Sequence, residues 1–279
     1  MSSRIAQKFD ELKGRNERAL IAYITAGDPS PARTVSLVLA LERAGVDIVE
    51  LGVPFSDPIA DGPVIQRAAE RALKAGTTMG GILEIARRIR QQSQIPLLLF
   101  TYLNPALRYG FERLATEAKE AGIDGCLLTD LSVEEADAYV KGMRDHGLDT
   151  VFLAAPTSNA RRLELVAKYS TGFVYLVSRT GVTGEQDQLP ASVTNMVQAL
   201  RAQTDKPIAV GFGVSRREHV EALRAEADGI IVGSAIVRLI EEHAAADDLE
   251  RRLERFVREL KLGTLTPGNS ESEMLVHES

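Results

Sequence analysis

At 279 residues, with 44% apolar and 26% charged side chains, the chain has enough material for a sizeable core in one large domain or two small ones. Its 33 basic and 39 acidic residues leave a charge of −6, and no Lys/Arg run interleaves with aromatics, which argues against a nucleic-acid partner. The longest apolar runs, such as 95–100 with its internal Pro96, fall far short of the roughly 20 residues of a membrane span. The opening MSSRIAQKFDELKGRN is charged where a signal peptide is apolar, so the expectation is a cytoplasmic protein.

In chain order, eight β-like runs recur: ALIAYIT (19–25), DIVELG (47–52), IPLLLFT (95–101), DGCLLT (124–129), DTVFLA (149–154), GFVYLV (172–177), KPIAVG (206–211) and DGIIVG (228–233). A helical pattern follows each. SPARTVSLVLALERAG (30–45) opens with Ser30 as a cap and Pro31 at the first helical position. SVEEADAYVKGMRDHG (132–147) and SRREHVEALRAEA (215–227) both start with Ser and carry Glu three residues on, the pattern of a capping box. Several strands are continuous apolar runs, as in parallel sheets covered by helices on the outside. Eight such units without a linker predict a single-domain α/β fold, a (β/α)8 TIM barrel over 1–263. An open doubly wound sheet is the alternative, disfavoured because nothing after TAGDP resembles a dinucleotide-binding glycine fingerprint. Residues 264–279, TLTPGNSESEMLVHES, lose periodicity and read as a flexible C-terminal tail.

In such a barrel the active site lies at the C-terminal ends of the strands. Glu50 is near one of these ends and, with a period of two, shares a face with Ile48, so an inward Ile48 would bring Glu50 into the top of the barrel. A carboxyl there is desolvated towards the range of a general acid/base; the alternative is a structural Glu paired with a cation. Asp61 sits in a loop stiffened by Pro54, Pro58 and Pro63, either as a second carboxylate facing the first or as an Asx turn before Gly62. Asp57 carries the same ambiguity, and for Asp28 in TAGDPS the turn reading is the stronger. VGFGVS (210–215) and VGSAIV (232–237) follow the last two strands, where a phosphate commonly binds, aided by a helix starting near Ser234. The loop 178–190, SRTGVTGEQDQLP, is a connector or a lid whose Thr183 and Gly184 could complete that phosphate site. Tyr175 either packs in the core or directs its hydroxyl at a carboxylate. No Lys lies in the second half of a strand, which disfavours a Schiff base, and the four histidines share no ligand spacing, so no metal site is expected. Cys126, the single cysteine, reads as a buried hydrophobe.

The segments YITAGDP, VELGVPFSDPIADGPVIQ, GFVYLVSRTGVTG, GFGVS and DGIIVGSAIV resemble, in order, the motifs of the tryptophan synthase alpha chain family, over about residues 5–262. The resemblance implies a lyase that splits indole-3-glycerol phosphate reversibly into indole and glyceraldehyde 3-phosphate. It implies Glu50 as the main acid/base, Asp61 as acceptor for the indole N–H, and Tyr175 as the residue orienting Asp61. Thr183, Gly184, Phe212, Gly213, Gly233 and Ser234 would hold the phosphate and line the nearby pocket, while Phe100, Leu127 and Leu153 would face the indole. Asp57 becomes an interface residue. The implied partner is a beta chain carrying pyridoxal phosphate, in an alpha2-beta2 heterotetramer, with no cofactor in this chain. One departure is LLTDLSVEE (127–135), where Thr129 and Ser132 stand at positions often occupied by proline, so a looser loop and altered partner coupling are expected. A stand-alone lyase and a catalytically silent partner of a beta chain are the alternatives, the second disfavoured by retention of Glu50 and Asp61. A different phosphate-binding barrel enzyme, such as an isomerase, is the remaining one.

Overall fold

The eight runs form strands because apolar side chains on both faces find cover, inside from one another and outside from helices. The strands are β1 (Ala19–Thr25), β2 (Ile48–Gly52), β3 (Leu97–Thr101), β4 (Gly125–Leu128), β5 (Asp149–Ala154), β6 (Val174–Val177), β7 (Ile208–Gly211) and β8 (Gly229–Val232). Each pairs in parallel with its neighbours in sequence, and β8 pairs with β1, closing the barrel. The computed structural model describes residues 3–177, 191–211 and 213–266.

The outer layer begins with α1 (Arg4–Gly14), α2 (Pro31–Arg43), α3 (Pro63–Lys74) and α4 (Met79–Arg90). It continues with α5 (Leu103–Tyr109), α6 (Phe111–Glu120), α7 (Asp137–Asp145) and α8 (Ala160–Tyr169). It ends with α9 (Ala191–Arg201), α10 (Arg217–Arg224), α11 (Ser234–Glu242) and α12 (Leu249–Leu262). Among the described residues, no helix is long and apolar enough to cross a membrane.

Alternation divides the core in two. Leu20, Ala22, Val49, Leu51, Leu97 and Leu99 face outwards into a large cluster with Leu37 and Leu41 of α2 and Ile82 and Ile89 of α4. Ile21, Ile48, Leu98, Leu127, Val151, Phe173, Ala209 and Ile231 fill the barrel interior. Below them α1 acts as a plug, inserting Ile5, Phe9 and Leu12, with the Phe9 and Phe173 rings 5.8 Å apart. The sequence reading assigned no element before β1, although Ile5, Phe9 and Leu12 recur at helical spacing in RIAQKFDELKG.

One helix starts as expected and two do not. Ser30 is the N-cap of α2 with Pro31 following, yet its side chain makes no capping bond; its carbonyl instead accepts from the Thr34 hydroxyl at 3.3 Å. The capping box at Ser132 is not formed, because a 3-10 turn over Val133–Glu135 intervenes, the Ser132 hydroxyl bonds the Glu134 carboxylate, and α7 begins only at Asp137. Likewise α10 begins at Arg217, with Arg216 rather than Ser215 as its N-cap. At the other end of the chain Thr264 is fully buried, and Arg18 N–H donates to its carbonyl at 3.3 Å. Residues 267–279 of the expected tail lie outside the described residues.

The lower rim uses one device three times. Asp47, Asp124 and Asp228 stand immediately before β2, β4 and β8, and each accepts a backbone N–H near the start of the preceding strand, from Leu20, Leu97 and Ile208, at 2.8 Å. These donors would otherwise lack a partner at the sheet end. Each carboxylate is also paired with a cation: Lys261 for Asp47 at 2.7 Å, Arg90 and Arg4 for Asp124 at 2.8 Å each, and Arg201 for Asp228.

Candidate active site

The upper rim presents the opposite situation. In register, Glu50 of β2 lies between Tyr23 of β1 and Leu98 of β3. Ile48 is in the interior cluster, so Glu50, two residues later on the same face, enters the barrel from above. Its side chain is fully buried, and neither carboxyl oxygen has a hydrogen-bond partner among the described residues. Burial alone pushes its pKa up to about 8. At neutral pH Glu50 is therefore a neutral acid with a proton to give.

Asp61 lies in the loop between β2 and α3. Burial raises its pKa, and a hydrogen bond from the Tyr102 hydroxyl opposes the rise. The same Tyr102 oxygen accepts the Ala60 N–H at 3.1 Å, and the Gln66 side-chain amide donates to the Asp61 carbonyl at 2.9 Å. The rings of Phe55 and Tyr102 lie 5.2 Å apart, closing the loop against β3. The loop at Asp61 is thus anchored through the Asp61 carbonyl and the preceding N–H.

Aromatic rings line the space between these acids. Phe100 meets Tyr23 edge-on at 5.2 Å and Tyr175 at 6.4 Å. Leu153 and Phe100 are half-buried at the mouth, whereas Leu127 is fully buried in the interior cluster on which they pack. Burial, and then the field of Glu50, hold the Tyr175 phenol in its protonated form. The tyrosine hydroxyl that lowers the Asp61 pKa is that of Tyr102, whereas the Tyr175 expected to orient Asp61 meets it through charge. Two glycines mark where the other tyrosines end: a Cβ at Gly52 would lie 2.1 Å from the Tyr23 hydroxyl, and one at Gly211 would lie 2.9 Å from that of Tyr175.

Beyond β8, which pairs with β1 beside the strand of Glu50, Gly233 caps α11 and Ser234 is its first residue, exposed, with no side chain capping the helix start. Its first-turn N–H groups can therefore face an anion. Gly213 is exposed at φ +59°, a conformation that favours glycine. Thr183, Gly184 and Phe212 lie outside the described residues. Asp57 is exposed in the loop before Asp61, accepting from the Ser56 hydroxyl at 2.6 Å. The Thr129 and Ser132 segment is held by side chains: the Thr129 hydroxyl donates to Thr101 carbonyl at 3.3 Å, and Asp130 accepts the Leu103 N–H at 2.6 Å. Among the described residues, no group of three or more His, Cys, Asp or Glu side chains is arranged to hold a metal ion.

Tyr23 and Tyr102 are the residues that sequence reasoning missed. Extending the period of two along β1 from Ile21 would have placed Tyr23 inward, level with Glu50. Tyr102 gave a weaker signal, its position one residue beyond β3.

The family model described as tryptophan synthase alpha chain matches residues 9–264. A tryptophan synthase alpha chain from Solibacter usitatus is 67% identical over 261 residues, covering 94% of this chain and 98% of that one. The chain belongs to the tryptophan synthase alpha chain family. The alpha chain of Geobacter sulfurreducens is 50% identical, over 93% of this chain and 98% of its own. Among solved structures, the tryptophan synthase alpha subunit from Legionella pneumophila str. Paris superposes with a TM-score of 0.88 at 36% identity, covering 95% of this chain and 99% of that one. A chain of the tryptophan synthase a2b2 complex from Pyrococcus furiosus, studied for its mutual activation, gives 0.83 at 41% identity over 88% and 98%. Tryptophan synthase alpha chains are carbon–carbon lyases that cleave indole-3-glycerol phosphate in tryptophan biosynthesis.

Proposed function

We propose that this chain cleaves indole-3-glycerol phosphate by moving one proton through Glu50 while Asp61 holds the indole nitrogen. The neutral Glu50 carboxyl gives its proton to indole C3, turning the ring into its electron-accepting tautomer. Asp61 accepts the ring N–H and stabilises the positive charge that develops there. The Glu50 carboxylate then takes the proton of the glycerol hydroxyl; the carbon–carbon electrons return to the ring, and the alcohol becomes the aldehyde of glyceraldehyde 3-phosphate. One observation carries this reading: a fully buried carboxyl, neither of whose oxygens has a partner among the described residues, at the top of a barrel whose lower carboxylates Asp47, Asp124 and Asp228 are each paired with a cation. Phe100 and Leu153 flank the indole, Leu127 floors it, and Tyr175 shapes the wall beside Glu50. Gly213, Gly233 and Ser234, joined by Thr183, Gly184 and Phe212, receive the phosphate.

The partner is a beta chain holding pyridoxal phosphate, in an α2β2 arrangement like that of the Pyrococcus furiosus relative, and the setting is the cytoplasm. The loop bearing Asp57 supports this, since Ile59 is 85% exposed beside it and a shallow pocket runs from Phe55 to Leu73. The test is indole formation by the purified chain, alone and with a cognate beta chain. Slow cleavage accelerated by the partner is the expected result. Fast cleavage alone would make it a stand-alone lyase, and none in either condition would make it a silent partner or a different barrel enzyme.

A further inference from the structure

Asp28, whose residue type and setting suggested a turn, is only 2% exposed, and both oxygens of its carboxylate are held by one edge of a single guanidinium. Arg71 donates Nε to Asp28 Oδ1 and Nη2 to Oδ2, each at 2.8 Å. The remaining Nη1 of Arg71 donates to Glu241 Oε1 at 2.7 Å. Glu241 is in turn held bidentately by Arg67 at 2.8 Å through each oxygen. Three elements meet here: the loop after β1 through Asp28, α3 through Arg67 and Arg71, and α11 through Glu241. Beneath the charges, Ala68 of α3 and Val237 of α11 pack together with Tyr23, the neighbour of Glu50 in register.

Both helices carry part of the site at their other ends. Helix α11 begins at Ser234, and α3 begins at Pro63, just after Asp61, whose carbonyl is bonded by Gln66 of the same helix. A planar fork fixes direction as well as charge, which an ammonium does not, so a guanidinium suits a joint between rigid helices. We propose that Arg71 is a positioning residue, coupling the phosphate-binding start of α11 to the placement of Asp61. The proposal rests on the assignment of Ser234 and Asp61 above. When phosphate loads α11, the Glu241–Arg71–Asp28 joint carries that ordering to α3 and hence to the loop that presents Asp61.

The full-length chain tests this with hydrogen exchange over residues 53–62, with and without saturating glycerol 3-phosphate, alongside indole formation from indole-3-glycerol phosphate. In the wild type the added phosphate ester slows exchange in that segment severalfold. In Arg71→Lys the slowing is lost, and kcat falls about tenfold with a smaller change in KM. Glu241→Gln, which leaves the buried Asp28 pair intact, shows the same loss and guards against a misfolded lysine variant. Arg43→Lys, altering the surface pair with Glu254 between α2 and α12, behaves as wild type. Equal protection in the wild type and Glu241→Gln, or no protection in the wild type, would overturn the coupling. Coupling intact with no indole formed, alone or with a beta chain, would sink the lyase reading and leave the joint standing.

Discussion

Replacing Glu50 by Gln separates what this carboxyl does for chemistry from what it does to stability. The folded protein holds the Glu50 proton until about pH 8, while the unfolded chain releases it near 4.5. Between those values the folded state binds more protons, so stability falls as pH rises. At roughly 1.4 kcal/mol per pKa unit, the total is about 5 kcal/mol, fully felt above pH 8, a large share of a typical domain's stability. Gln has the same shape but cannot ionise, so the variant lacks this slope. Urea unfolding of both proteins at pH 5, 6.5 and 8 is expected to show the variant gaining progressively on the wild type. Turnover moves the other way: kcat for indole formation drops by a factor on the order of 10²–10⁴. Wild-type kcat/KM, needing the protonated acid, declines above about pH 8. A stability difference independent of pH would refute the assigned protonation, and near-normal turnover would refute the role in proton transfer.

The other predictions concern the neighbours of the two acids. Tyr102→Phe removes the donor to Asp61 and the acceptor for Ala60 N–H, so the Asp61 pKa rises further and the acidic limb of the pH–rate profile moves to higher pH. A loss of about tenfold in kcat/KM is expected, and an unmoved acidic limb would show that Tyr102 does not act through Asp61. Gly52→Ala places a methyl group against the Tyr23 hydroxyl and displaces the ring beside Glu50. Thermal denaturation should report a loss of about 1–3 kcal/mol together with reduced kcat, and an unchanged melting point would mean the ring yields freely.

Much of the barrel was legible because its signals are local. Strand runs are continuous, β1 and β5 have the predicted bounds, and the place of Glu50 follows from Ile48 by simple alternation. What escaped depends on distant contacts. Ser132 and Ser215 carry good capping sequences, yet side-chain competition at Glu134 and a later start at Arg217 displaced the helices. The plug helix hid in a charged opening segment whose three apolar residues make sense only beneath Phe173. Tyr102 escaped because its partner Asp61 is 41 residues away in sequence, brought close by the pairing of β2 and β3. Asp28 likewise needed Arg71, 43 residues later, to be read as anything beyond a turn.

The repeated Asp at the foot of β2, β4 and β8 gives this barrel two independent rims. Scaffold integrity is secured where strands begin, by groups remote from the reaction, while the exposed ends of the strands are left free to be chemically unfinished. A lineage could therefore rewrite its upper loops for a new substrate without renegotiating how the cylinder closes. For the engineer the division works in reverse: heat tolerance can be sought among Asp47, Lys261, Arg90 and Asp124 with the chemistry left alone.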